Sequence, residues 1–278
     1  MRPAEVVRRA ATYLDRHGVE SPLPTAEILL AKVLGTDRAG LYARADGLSS
    51  AEARRFGRAL CRRCAGTPTQ HLTGEQGFRR LVLEVRSEVF VPRPETEVLV
   101  GEALLMLQGI DRPRVVDVGT GTGAIALSIK DERPDATVFA TDRSPAAVEL
   151  ASANAARLGL DVEVLGGDLL EPLPPELAGS LDLVVSNPPY VEPAEVGALP
   201  REVLADPADA VMGGIEVYER LFAAARRWVL PGAAIAVEVG EDHAEAVSLA
   251  AEALGFRAIR VVEDLTGRDR VVTARAPS

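Results

Sequence analysis

The sequence predicts an α/β fold in two parts, a helical N-terminal segment followed by a doubly wound sheet of seven strands. Three observations carry this expectation. Residues 3–66 keep apolar positions at three- and four-residue steps, the period of packed helices. From residue 114 onward, short Val- and Ala-rich runs alternate with helical patterns, as βαβ units do. The first of these runs, Arg114-Val115-Val116-Asp117-Val118, passes directly into Gly119-Thr120-Gly121-Thr122-Gly123. A strand, a glycine-rich turn and a helix in that order open a nucleotide-binding sheet.

In the N-terminal part, Val6, Val7, Ala10, Ala11 and Leu14 form one apolar stripe, and Ala26, Ile28, Leu29, Leu30, Val33 and Leu34 a second. Gly18 and Gly35 are expected as stops, and a third helix is expected to start on a Ser50 cap. After a polar, turn-prone stretch from Gly66 to Gly77, Leu81–Val85 and Val89–Val91 read as two short strands of a linking hairpin. The organisation predicted is a helical domain over 1–72, a hairpin over 73–93 and a sheet domain over 94–278. Pro92-Arg93-Pro94-Glu95-Thr96-Glu97 introduces a helix, with Pro94 suited to its first turn and the acids to its dipole. Arg93 reads either as a partner for Glu95 or Glu97 or, from its position at the entrance to the sheet domain, as a residue near a ligand there.

Within the sheet domain a second strand, Thr137–Thr141, ends in Asp142, placed to hold a ribose diol. Ser144-Pro145 caps the next helix, and a third strand, Asp161–Leu165, leads to Asp168, where an adenine amino group could bind. The fourth strand, Leu181–Ser186, runs into Asn187-Pro188-Pro189-Tyr190. Two prolines can continue neither a strand ladder nor a helix, so the backbone leaves the sheet extended, with Asn187 at the strand tip. The Asn187 carboxamide and the Pro188 carbonyl can both act as acceptors, the prolines offer no competing N–H, and Tyr190 adds a flat face. That combination suits a planar primary amide or a base amino group. Residues 192–214 read as an irregular lid or substrate loop, and strands at 233–239, 258–263 and 270–274 complete the sheet.

Composition narrows the function. Acidic residues number 41 against 31 basic, and the net charge of −10 disfavours nucleic acid and anionic membranes as partners. No signal peptide or membrane-length apolar stretch is present, so a cytoplasmic protein is expected, a monomer by default. Cys61 and Cys64 form a C-x-x-C without a second pair, and His17, His71 and His243 are scattered, so no metal is expected. The glycines follow G-x-G-x-G and not the G-x-x-G ending of dinucleotide binders, which favours S-adenosylmethionine over NAD. Asp117, ending the first strand, could meet the ammonium of that cofactor.

Assembled, these residues resemble the HemK/PrmC family of N5-glutamine methyltransferases. The resemblance runs through Thr25–Leu30, Thr67-Pro68 to Gly74, Val91–Glu97, Asp117–Gly123, Asn187–Tyr190 and Asp264–Arg270, in the family's order. It implies an N-terminal helical bundle joined by a β-hairpin to a seven-stranded Rossmann-like class I methyltransferase domain. It further implies methyl transfer from S-adenosylmethionine, leaving S-adenosylhomocysteine, to the glutamine of a Gly-Gly-Gln motif in peptide chain release factors. Carried over by position, Gly119, Thr120, Gly121, Thr122, Gly123, Asp142, Asp168, Leu169 and Asn187 would contact the cofactor. Asn187, Pro188, Pro189 and Tyr190 would hold the glutamine, with Asn187, Pro188 and Tyr190 carrying the catalysis. The sequence departs from the family pattern at Asp206-Pro207, Ala210-Val211, Gly213–Glu216, Leu169 and the missing glutamine after Glu238-Val239-Gly240. An adenine-N6 DNA methyltransferase would suit the same pocket but not the charge, and a non-catalytic cofactor-binding protein would need no amide clamp.

Overall fold

A computed structural model describes residues 1–192, 197 and 203–277. Much of the expected 192–214 loop lies outside the described residues. The chain divides into two compact units, the first made of Met1–Glu75 and a short later segment ending at Ala205, the second of the remainder.

The first unit holds five helices: α1 (Pro3–Arg16), α2 (Pro22–Leu34), α3 (Arg38–Ala43), α4 (Ser50–Cys64) and α5 (Thr69–Thr73). The stripes expected from the sequence supply much of its core, with Val7, Leu14, Leu29 and Leu30 buried beside Leu41 and Phe56, but Ile28 of the second stripe faces outward and is exposed. The cap of α4 is Ser49 and not Ser50. Its hydroxyl accepts from the Glu52 N–H, and the Glu52 carboxylate accepts from the Ser49 N–H, a reciprocal pair that Ser50 is one residue too late to make.

The second unit opens with a hairpin of β1 (Glu75–Phe78) and β2 (Leu81–Glu84). Contrary to the expected hairpin, Val89–Val91 is no strand, and the partner of Leu81–Glu84 precedes it. Val89 and Val91 are buried, but their N–H groups go to the Arg86 carbonyl and the Asp206 carboxylate, not to a ladder. Buried Asn154 anchors β2, accepting from the Glu84 N–H at 2.8 Å while donating to the Glu84 and Thr122 carbonyls.

After α6 (Thr96–Met106), the chain alternates β3 (Arg114–Val118), α7 (Ala124–Glu132), β4 (Thr137–Asp142), α8 (Pro145–Leu158), β5 (Val162–Gly166) and β6 (Leu181–Ser186). It continues through α9 (Ala208–Val211), α10 (Ile215–Ala225), β7 (Val229–Glu238), α11 (Ala244–Ala253), β8 (Arg257–Glu263) and β9 (Asp269–Arg275). The seven strands lie in the order β5-β4-β3-β6-β7-β9-β8, parallel except for β9, which runs against both neighbours. Their central members are largely apolar because both faces are covered, with Asp117 of β3 and Ser186 of β6 as buried polar exceptions. Val116, Val184, Ile235 and Val237 face a core shared with Phe222 and Val247, while Val115, Leu183, Val185 and Ala236 face Leu99, Val100 and Ile125. Strand order reverses between β3 and β6, and a crevice outside the strand tips at such a switch point is where open α/β sheets take ligands.

Candidate active site

Register places the sequence-predicted residues at this switch point. Val118 pairs with Ser186, so Gly119 and Asn187 leave adjacent strands side by side. Val118 also pairs with Thr141, which sets Asp142 beside the turn from the other flank. The turn is stapled to β4: the Gly119 and Thr120 N–H groups both donate to the Thr141 carbonyl, and the Gly121 N–H donates to Asp142 Oδ2 at 2.9 Å. Gly123 has φ 85°, and a Cβ there would stand 2.9 Å from the Leu127 side chain, so the last residue before α7 must be glycine. A Cβ on Gly119 would meet nothing within 4 Å, leaving open space above the turn.

Asp117 is fully buried at the base of this turn. Its Oδ2 accepts from the Thr120 hydroxyl at 2.6 Å and the Ala126 N–H at 3.2 Å, while Oδ1 has no hydrogen-bond partner. Burial pushes its carboxyl up to about 7, against the pull of those two donors. A buried, half-satisfied carboxylate below an open glycine turn, with a second carboxylate at the next strand tip, fits the ammonium and ribose ends of S-adenosylmethionine. Asp142 Oδ1 and Oδ2 each already take one backbone N–H, from Ser144 and Gly121, and keep lone pairs for a diol. The Asp168 carboxylate, expected near an adenine, turns instead to Arg220 at 2.5 Å. Leu169 sits at φ 48°, strained for a side-chain-bearing residue, and its carbonyl is held by the Thr141 hydroxyl at 2.7 Å.

On the other side of the switch point, Asn187 is half-buried and Pro188 buried. The Asn187 Nδ2 donates to Thr96 Oγ1 on α6 at 3.2 Å. Tyr190 meets His243 edge-on at 6.4 Å, and burial pushes its phenol up to about 12, so it stays neutral. Pro189 is backed by the chain after α9. A Cβ on Gly213 would lie 1.9 Å from the Pro189 carbonyl oxygen, and the Gly213 N–H donates to the Val191 carbonyl. Arg93 does not pair with Glu95 or Glu97. It forms an ion pair with Asp206, whose side chain is wholly buried and also takes the Val91 N–H.

The sequence reading missed Thr96, Glu238, Asp206 and Gly213 as parts of this site. Glu238 is 2% exposed at the last position of β7, and Val237 pairs with Ser186, so it stands level with Asn187. Its signal was available, since a carboxylate closing an apolar strand repeats the pattern of Asp117. Among the described residues there is no group of three or more His, Cys, Asp or Glu able to hold a metal, and no helix long and apolar enough to cross a membrane.

The doubly wound sheet and its strand-tip site define a class I methyltransferase. The chain superposes on the hMettl16 catalytic domain in complex with MAT2A 3′UTR hairpin 6, with TM-score 0.57 at 15% identity over 79% of this chain and 81% of that one. It also superposes on ribosomal protein L11 methylase from Lactobacillus delbrueckii subsp. bulgaricus, with TM-score 0.50 at 19% identity over 69% and 82%. At these identities the likeness concerns the fold alone. Residues 5–74 match the family model of the PrmC N-terminal domain, and residues 95–212 that of the methyltransferase small domain. A release factor glutamine methyltransferase of Moorella thermoacetica is 42% identical, over 97% of this chain and 95% of that protein. One of Deinococcus radiodurans is 41% identical over 99% of both. The chain belongs to the release factor glutamine methyltransferase family.

Proposed function

We propose that this protein methylates the side-chain amide nitrogen of a glutamine in peptide chain release factors, within their Gly-Gly-Gln motif, using S-adenosylmethionine. The observation that carries the reading is the adjacency of Gly119 and Asn187 at neighbouring strand tips, with the Asn187 amino group tied inward to Thr96. Gly119–Gly123, Asp142, Leu169 and Asn187 are assigned to the cofactor, with Asp117 beneath the turn, while the Asp168 carboxylate is engaged by Arg220. The bound cofactor supplies a sulfonium-activated methyl group. Everything else falls to the chain. An amide nitrogen is a weak nucleophile because its lone pair is delocalised into the carbonyl. With the glutamine seated, Asn187 Oδ1 and the Pro188 carbonyl accept its two amide hydrogens, which fixes the nitrogen in line with the methyl and stabilises the positive charge that develops there. Tyr190, neutral and packed, supplies the flat wall that keeps the amide plane in orientation and water out. Once the N–C bond has formed, the nitrogen is strongly acidic and its extra proton passes to solvent.

The test is label transfer from S-adenosylmethionine, offered separately with release factor and with DNA. Label is expected in the release factor and at its glutamine. For Asn187→Ala, cofactor affinity should stay within a few-fold while turnover falls about 10²–10³-fold, the usual cost of removing one such group. Label in DNA, or undiminished turnover by Asn187→Ala, would overturn the assignment.

A further inference from the structure

The side chain of Glu238 makes no direct contribution to the amide clamp, yet it is the group beside Asn187 whose presence is hardest to explain by packing. It is 2% exposed, its Oε2 has no hydrogen-bond partner, and burial holds its carboxyl up to about 7. An unpaired buried carboxylate costs stability, and a glutamine or methionine would fill the same space without that cost. Its surroundings are fully specified. Thr96 and the preceding Glu95 come from the start of α6, Asn187 and Tyr190 from the chain just after β6, and Arg270 from β9. The Tyr218 hydroxyl from α10 donates to the main-chain carbonyl of Glu238, not to its carboxylate, at 2.9 Å. Arg270, the nearby cation, is committed to Asp264, with its guanidinium 3.1 Å from Oδ2.

The Thr96 hydroxyl and the Asn187 amide both stand against the carboxylate and oppose the rise of its pKa. A carboxamide has a donor end and an acceptor end of nearly equal shape, so its neighbours decide which way it points. Thr96 cannot decide, because a hydroxyl donates or accepts with equal ease. Above about pH 7, where Glu238 is ionised, its carboxylate can only accept, and it repels an oxygen. We infer that Glu238 is a positioning residue that sets the direction of the Asn187 carboxamide, drawing its amino group inward so that Oδ1 faces the crevice. The inference rests on the reading of Asn187 as an acceptor in the clamp. Asn187 Nδ2 gives one hydrogen to Thr96 at 3.2 Å, and its second hydrogen and the Thr96 proton remain for the Glu238 carboxylate, which stands level with Asn187 on the neighbouring strand. The anion behind the amino group also polarises the amide, which makes Oδ1 a stronger acceptor toward the substrate.

Glu238→Gln tests this, because glutamine keeps the shape and can face Asn187 with either end. The expected result is a 10–100-fold lower kcat toward release factor, an unchanged KM for S-adenosylmethionine and a melting temperature no lower than that of the parent protein. Glu238→Asp, which keeps the charge, should recover part of the loss. On an Asn187→Ala background, Glu238→Gln should cost less than a further twofold, since a residue acting through Asn187 has nothing left to orient. In ¹⁵N spectra of the apoprotein, the side-chain amide pair that disappears in Asn187→Ala should shift in Glu238→Gln. Wild-type kcat in Glu238→Gln beside a crippled Asn187→Ala would overturn the inference and leave the clamp standing, as would a full extra loss in the double variant. Turnover retained by Asn187→Ala would remove the clamp, and the inference with it.

Discussion

Replacing Gly213 with alanine perturbs the proposed amide clamp from behind without touching either strand tip. The new Cβ would fall 1.9 Å from the Pro189 carbonyl oxygen and 2.7 Å from its carbon, where ordinary contact begins near 3.4 Å. One of the two segments must therefore move by about 1.5 Å, and neither contact is to the far end of a flexible side chain. The Gly213 N–H is bonded to the Val191 carbonyl at 3.0 Å and the Val191 N–H to the Val211 carbonyl at 3.1 Å, so the two segments are tied and the strain passes along Pro188–Tyr190. Displacements of about 1 Å in a group that aligns reactants cost on the order of 10²-fold in rate. We expect Gly213→Ala to lower kcat for release factor methylation by about that factor. Cofactor affinity, measured by calorimetry, should stay within threefold, because the glycine turn is held by β4 and α7 and not by this loop. Label transfer under saturating cofactor gives kcat, and thermal unfolding reports whether the fold survives. A variant that folds normally and turns over within threefold of the parent would refute the claim that Gly213 fixes the Pro189 backbone.

Three other outcomes are expected. Asp117 has its carboxyl raised by burial from an ordinary 3.8 to about 7, with Thr120, Ala126 and Asp142 facing it, so the folded apoprotein holds that proton more tightly than the unfolded chain. Its contribution to stability is thus complete below about pH 4 and lost as pH rises through about 7. The apoprotein should melt at a lower temperature at pH 8 than at pH 6, and Asp117→Asn should reduce that slope, the buried Glu238 carboxyl supplying the rest; an unchanged slope would show the Asp117 carboxyl to be ionised throughout. Cofactor binding should run the opposite way, because an ammonium favours the carboxylate: affinity should fall by up to tenfold per pH unit below about 7, with proton uptake and release visible in calorimetry across buffers. A pH-independent affinity that Asp117→Asn leaves unchanged would sink the pairing. Finally, Asn154→Ala strips partners from both backbone groups of Glu84 and from the Thr122 carbonyl, all at a buried site, and should cost about 2–4 kcal/mol in urea unfolding. A cost under 1 kcal/mol would mean that water takes over those bonds.

What could be read from the chain alone was whatever is local. The central strands announce themselves as apolar runs because both sheet faces are covered, and the turn from Gly119 to Gly123 because only glycine tolerates the backbone at Gly123. Asn187 could be placed at a strand tip because two prolines forbid any continuation of the ladder. Where pairing was invisible in composition, the reading went astray. Glu75–Phe78 has no apolar alternation and pairs all the same, whereas Val89–Val91 has the residues of a strand and sends its N–H groups elsewhere.

The amino-acid order by itself determined the fold class, the glycine turn and its carboxylates, and the Asn-Pro-Pro-Tyr exit from β6, since each is a run of neighbours whose backbone chemistry allows one outcome. The tertiary structure decided which distant groups act on those neighbours. Thr96, Asn187 and Glu238 come from α6, β6 and β7 and meet because parallel pairing brings strand tips to one edge. Arg93 meets Asp206, and Gly213 meets Pro189, for the same kind of reason. A sequence records a buried charge only as a letter, while its cost, its orienting field and its partner are properties of the space that folding creates around it.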